Sequence, residues 1–229
     1  MIEVIGFDLD DTLWEVAPVI IRAEQTLNDW LQTAAPGLKY DVVSMRSLRD
    51  EVLGRNPELR KQITELRRQI ILCALEKSRV SESARLADEA IEVFLHARNQ
   101  IELFEGALDV LDHLDSDHRL GALSNGNADV HRLGLSHIFD FAFSAEDVGA
   151  PKPDLALFEH ALRHTGVSAS QMVYVGDDPI LDVDAAKQAG LMTVWLDHGK
   201  KPQGATRPDA TISHIRELPD AIRSLGQHI

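Results

Sequence analysis

Hydrophobic and polar positions along this chain follow two rhythms that change place near its start. Val4-Ile5-Gly6-Phe7 is a short unbroken apolar run, the pattern of a strand covered on both faces. Immediately after it the period lengthens. Residues 19–31, 42–53, 58–75 and 83–95 carry apolar side chains at three- and four-residue spacing, with Pro36-Gly37 and Asn56-Pro57 as breakers, and predict a run of helices to about residue 101. From there strand-like runs at 120–123, 141–144, 172–175, 192–196 and 210–212 alternate with helical stretches at 107–114, 153–164 and 181–188. Alternation of that kind predicts a mostly parallel sheet flanked by helices, an α/β Rossmann-like core. The helical block then reads as an all-helical domain inserted after the first strand. The expected division is 1–14 core, 15–102 helical domain and 103–229 core, with hinges at 13–18 and 101–106.

Polar residues gather where the strands end. Asp8, Asp10, Asp11 and Thr12 follow the first run. Side chains at i and i+2 leave a strand on the same face, so Asp8 and Asp10 can act on one small substrate. Asp-rich turns also follow strands for conformational reasons alone, because Asp bonds nearby backbone groups. Three further strand ends tip the balance toward chemistry: Ser124-Asn125-Gly126-Asn127, Pro151-Lys152-Pro153, and Gly176-Asp177-Asp178 with Asp182 beyond.

These four elements, in this order, resemble the haloacid dehalogenase superfamily of aspartyl-phosphate hydrolases. Asp8, Asp10 and Thr12 match its first motif, Ser124 the second, Lys152 the third, and Asp177 with Asp182 the fourth. An insert after the first strand resembles the class with a helical C1 cap. The resemblance implies Asp8 as nucleophile and Asp10 as general acid and base. It implies Lys152 as the cation at the phosphate, and Thr12, Ser124 and Asn125 as phosphate-binding groups. Mg²⁺ is implied on Asp8, Asp177 and the main-chain oxygen of Asp10, with Asp178 and Asp182 in support. A carboxylate suits the first role because an acyl phosphate divides hydrolysis into two easier displacements, and Mg²⁺ suits carboxylate oxygens and water. Haloacid dehalogenases resemble this pattern but lack an acid at the position of Asp10 and need no metal. Sugar phosphomutases keep both aspartates, so that position does not separate them from phosphatases.

For substrate, Pro18-Val19-Ile20 with Arg22 and Glu24, Asn125-Gly126-Asn127-Ala128 and Gly176-Asp177-Asp178 are similar to a bacterial flavin-pathway phosphatase. That similarity implies FMN or 5-amino-6-(5-phospho-D-ribitylamino)uracil. Nucleoside 5′-monophosphates and small sugar phosphates are the competing classes, and a binding module that has kept the fold without turnover is the alternative of another kind. Trp14 stands where it can stack on a flat ring or simply pack, and Arg67 or Arg68 can pair with a polar tail. His160 and His164 share a helical face, but no zinc pattern accompanies them, so they read as surface residues.

Composition narrows the partners. The chain has 229 residues, 44% hydrophobic, and a formal charge of −14, enough for a packed core and unsuited to phosphate-backbone binding. Residues 15–100 hold 13 Lys/Arg and 13 Asp/Glu, so the whole acidic excess lies in the core. A small phosphorylated metabolite would need a metal ion and local cations to approach it. The single cysteine, Cys73, lies in an apolar run and reads as core filling. One cysteine excludes an internal disulfide framework. The opening residues lack a signal-peptide profile and no apolar run reaches spanning length. The expectation is a cytoplasmic protein, monomer or homodimer, with no membrane or nucleic-acid partner.

Overall fold

A computed structural model describes residues 1–38 and 40–227. In chain order the elements are β1 (Val4–Phe7), α1 (Val16–Ala34), α2 (Val42–Arg55), α3 (Ile63–Lys77), α4 (Ser83–Arg98), α5 (Ala107–Asp115), β2 (Arg119–Ser124), β3 (Phe141–Ser144), α6 (Ala145–Val148), α7 (Ala156–Thr165), β4 (Met172–Gly176), α8 (Ala185–Gln188), β5 (Met192–Leu196), β6 (Ala210–Ile212) and α9 (Leu218–Gly226). The chain divides into two compact units, Ala17–Gln100 and the remainder. Among the described residues, no helix is long and apolar enough to cross a membrane.

The larger unit is a sheet of six parallel strands in the order β3-β2-β1-β4-β5-β6. β1 is the hinge of this order: the chain winds outward through β2 and β3 on one side, then through β4, β5 and β6 on the other. Reversal of this kind leaves a crevice at the carboxyl ends of the two strands that flank it, here β1 and β4. Val4, Ile5 and Phe7 are fully buried, as are Val173 and Val175 of β4, because helices cover both faces of a parallel sheet.

The helical unit closes its own core. Ala23, Leu27 and Leu31, one turn apart on α1, are fully buried, and Leu66, Ile70, Ala74, Ala87, Ala90 and Phe94 join them. Cys73 is buried among them as a free thiol. The expected helix at 58–75 is two elements: a 3-10 turn, Pro57–Lys61, is separated from α3 at Gln62. Pro57 starts the turn, and the i+3 bonding it adopts does not run in register with an α-helix. α7 likewise begins at Ala156, three residues later than expected, where the Asp154 carboxylate accepts the Ala156 amide at 2.9 Å.

The two crossings between the units are tied together on the core side. Trp14 and Leu103 form an antiparallel bridge, and the Phe104 amide donates to the Leu13 carbonyl at 2.8 Å.

Candidate active site

Asp8 is the first residue past β1, and its amide still donates to the Val175 carbonyl of β4 at 2.9 Å. Its carboxylate therefore sits in the crevice between the two strands. The chain turns sharply after it. Asp11 adopts a left-handed φ of 59° and its amide donates to the Trp14 carbonyl at 2.8 Å, while its carboxylate accepts the Val16 amide at 2.9 Å and so begins α1. This turn aims Asp10 back toward Trp14, whose indole Nε1 donates to Asp10 Oδ1 at 2.9 Å. Trp14 is fully buried; it orients a carboxylate and has no open face for a ligand ring.

Lys152 supplies the buried charge at the centre. Its peptide bond to Pro153 is cis. Its ammonium donates to Asp8 Oδ1 at 2.7 Å, Asp182 Oδ1 at 2.7 Å and the Tyr174 hydroxyl at 2.8 Å, so all three N–H bonds are used. Tyr174 donates its own proton to the Leu123 carbonyl at 2.8 Å. Burial pulls the ammonium toward neutrality, but Asp182 and Asp8 outweigh it and hold its pKa well above the ordinary lysine value. Burial pushes the Asp8 carboxyl up to about 8, opposed by Lys152 and reinforced by the carboxylates of Asp182 and Asp10. In the absence of another cation, one ammonium is shared between two buried carboxylates.

The turn after β4 brings the remaining acids. Gly176 lets Asp182 fold back onto the strand end: a Cβ at Gly176 would lie only 2.3–2.5 Å from the Asp182 side chain. Asp182 Oδ2 accepts the Asp178 amide at 2.9 Å, and Asp178 Oδ1 in turn caps the Ile180 and Leu181 amides at 2.9 Å. A π-helical turn, Pro179–Asp184, follows. The Asp177 carbonyl is fixed by the Trp195 indole at 3.0 Å. Burial raises the Asp177 carboxyl, against the pull of Lys201, whose ammonium lies 2.8 Å from both Asp177 Oδ2 and Asp178 Oδ2. Asp178 is lowered, because bonds from the Leu181 amide and Lys201 exceed the effect of its burial.

The residues singled out in the sequence thus fall into distinct positions. Asp8, Asp177 and Asp182 each offer an oxygen within 4.8 Å of the others. Hard carboxylate oxygens this close suit a divalent cation. Both oxygens of Asp182 are already engaged, by Lys152 and the Asp178 amide, which leaves Asp8 and Asp177 as the pair best able to hold an ion. Asp10's carboxylate is not one of the three; its expected part is through the main-chain oxygen.

Ser124 is buried, and its Oγ accepts the Gly126 amide at 3.0 Å. Thr12 is fully buried with its hydroxyl unbonded among the described residues. The Asn125 side chain is engaged at both ends by the backbone of the lysine loop. Its Nδ2 donates to the Lys152 carbonyl at 2.9 Å and its Oδ1 accepts the Lys152 amide at 2.7 Å, so it clamps the lysine loop.

Arg67 pairs with Glu24 at 2.5 Å and lies 3.8 Å over the Phe94 ring, and Arg68 pairs with Asp88 at 2.5 Å, so both are engaged inside the helical unit. His160 and His164 both set their rings against Phe143; His160 is partly buried, while His164 is exposed, as expected of a surface residue. Tyr174, Trp195 and Lys201 escaped sequence reasoning. Tyr174 and Trp195 look like ordinary strand residues, and Lys201 lies in a loop that carries no motif.

Parallel strand order, a buried carboxylate at the switch point and a buried lysine between two acids agree with the haloacid dehalogenase class. The family model for haloacid dehalogenase-like hydrolases matches residues 2–190, and the chain belongs to that family. It is 30% identical over 198 residues to the 5-amino-6-(5-phospho-D-ribitylamino)uracil phosphatase YigB of Escherichia coli K12, covering 85% of this chain and 83% of that protein. It is 33% identical over 139 residues to the phosphoserine phosphatase of Thermus thermophilus, covering 58% of this chain and 56% of that one. A solved structure described as a 2-haloacid dehalogenase from Pseudomonas syringae pv. Tomato DC3000 superposes with a TM-score of 0.94 at 42% identity, covering 98% of this chain and 99% of that one. Within the family the chain is a phosphatase-type hydrolase.

Proposed function

We propose that the chain is a Mg²⁺-dependent phosphomonoester hydrolase that works through an aspartyl phosphate on Asp8, with FMN or 5-amino-6-(5-phospho-D-ribitylamino)uracil as its substrate. The substrate class is carried by the similarity to the E. coli phosphatase across 85% of this chain. The reaction is carried by the paired carboxylates. Asp8 attacks phosphorus and the ester P–O bond breaks. Asp10, held by Trp14 at 2.9 Å, gives a proton to the departing alkoxide. It then takes one from the water that attacks the acyl phosphate, which releases inorganic phosphate and restores Asp8. Lys152 keeps positive charge at the nucleophile, and the Ser124 hydroxyl with the Asn125 main-chain amide supplies donors for phosphoryl oxygens. Asp8 and Asp177 would hold the metal ion, which when bound offsets the charge of the phosphate among the acids.

A second reading, hydrolytic dehalogenation of a small 2-haloacid, is favoured by the 42% identity to the P. syringae protein. Asp10 weighs against it, since attack on a carbon–halogen bond expels a halide that needs no proton. One assay separates the two: phosphate release from both flavin-pathway esters, nucleoside monophosphates and sugar phosphates, with and without Mg²⁺, beside halide release from 2-chloropropionate. The Asp8→Asn protein is the control. Metal-dependent preference for the flavin-pathway esters is expected. Halide release without phosphate release would replace the proposal with the second reading, and turnover surviving in Asp8→Asn would remove the covalent mechanism.

A further inference from the structure

Lys152 and Lys201 are two ammonium groups set among the same acids, and they are held in different ways. Lys152 has a side chain 2% exposed and three fixed acceptors. Lys201 has a side chain 41% exposed and, among the described residues, donates to Asp177 Oδ2 and Asp178 Oδ2. The loop that carries it is pinned on either side. His198 Nε2 donates to the Asp11 carbonyl at 2.7 Å, and the Ala205 and Thr206 amides donate to the Asp184 carboxylate at 3.0 and 2.7 Å. Between those anchors it is the lysine side chain that crosses to Asp177 and Asp178. Beside it a cavity of about 60 Å³, lined by Asp11, Asp177, Asp197, His198, Lys200 and Lys201, is large enough to hold water.

Asp177 therefore belongs to two sets at once. It is one of the three carboxylates that converge within 4.8 Å, and it is half of the pair that Lys201 bridges. We infer that Lys201 is a built-in competitor for the divalent cation: its ammonium neutralises Asp177 and Asp178 when no ion is bound and leaves the pair when an ion binds. This rests on the proposal that Asp8 and Asp177 hold the ion. The physical reason for the exchange is that a compact ammonium on a flexible stem, more than a third exposed, prefers the carboxylates to water only modestly, so a divalent cation can displace it. Lys152 cannot make that exchange, because leaving would strand two buried carboxylates. Metal affinity is then set partly by the loop that follows β5, since the competent form is the fraction in which Lys201 has let go.

Two measurements on the full chain test this. Titration with Mg²⁺ alone, followed by calorimetry, compares the natural protein with Lys201→Met and Lys201→Arg. Lys201→Met is expected to bind about three- to tenfold more tightly and Lys201→Arg to stay near the natural protein. Amine acylation read by mass spectrometry then compares Lys201 with its neighbour Lys200, whose side chain is 72% exposed. The Lys201-to-Lys200 ratio is expected to rise several-fold when Mg²⁺ is added to the natural protein, a result that does not depend on any variant folding. An unchanged ratio at saturating Mg²⁺ overturns the inference even if Lys201→Met binds more tightly, because removing a nearby positive charge alone would do that. Equal or weaker binding by Lys201→Met overturns it as well. Failure of all three proteins to bind Mg²⁺ instead removes the metal assignment on which it stands.

Discussion

Replacing Lys152 with Met asks the sharpest question of this site, because its ammonium lies buried between two buried carboxylates. Asp8 and Asp182 lie 2.7 Å from it, with side chains 12% and 2% exposed. Met keeps most of the volume and removes the charge. Breaking a buried pair by deleting one partner costs about 3–5 kcal/mol, which for a chain of this size lowers the thermal midpoint by about 6–20 °C. The cost should also depend on pH. Asp8 is already raised by burial, and loss of Lys152 removes the principal influence lowering it. Between the ordinary carboxylate range and that raised value the folded protein holds a proton that the unfolded chain has released, so stability falls as pH rises through the window. Both proteins share that slope up to about pH 8; above it Asp8 of the natural protein ionises against Lys152 while that of the variant keeps its proton, so thermal unfolding of the metal-free proteins from about pH 7 to about pH 10 should show the gap widening upward. Adding Asp182→Asn to Lys152→Met should recover about half of the loss, since one carboxylate no longer needs compensation. A variant as stable as the natural protein at the alkaline end, or a double variant no better than the single one, would mean that the two acids are not charged against Lys152.

Gly176→Ala should destabilise the core by about 1–3 kcal/mol and reduce phosphate release, because the added methyl would collide with the Asp182 side chain; urea unfolding with a parallel activity assay checks both, and an unaltered protein would show that Asp182 has room to move. Acid should loosen the segment after β5. Asp184 is held below the ordinary carboxylate value, because the Ala205 and Thr206 amides outweigh the effect of its burial. A depressed folded pKa contributes stability above the ordinary range that is lost as pH falls through it, so hydrogen exchange at residues 199–208 should accelerate below about pH 4. Asp184→Asn should show fast exchange there already at neutral pH, and equal exchange in both proteins would remove Asp184 as the anchor.

Much of this arrangement is local and is therefore readable along the chain. A parallel strand buried on both faces must be an apolar run, and a helix packed on one side must repeat every three or four residues; β1, β3, β5 and β6 have the expected bounds for that reason. Charged side chains are costly inside such strands, so the acids and Lys152 collect beyond their ends, with Ser124 the last residue of β2, where the motifs are visible. Distances between those ends are another matter. Strand order decides that β1 and β4 are neighbours, and only then do Asp8 and Asp177, far apart in the chain, approach within 4.8 Å. Side-chain direction is likewise a tertiary result. Trp14 turns inward to Asp10 because the tight turn at Asp11 carries it there, and Asn125 grips the backbone of Lys152 because two loops meet. His160 and His164 lie against Phe143 because β3 and α7 pack together, a contact no helical period reveals. Lys201 is the clearest case: a lysine in a polar loop carries no local sign of its partners. Its charge reaches Asp177 and Asp178 only because β5 lies beside β4 and delivers the loop to the same edge of the sheet.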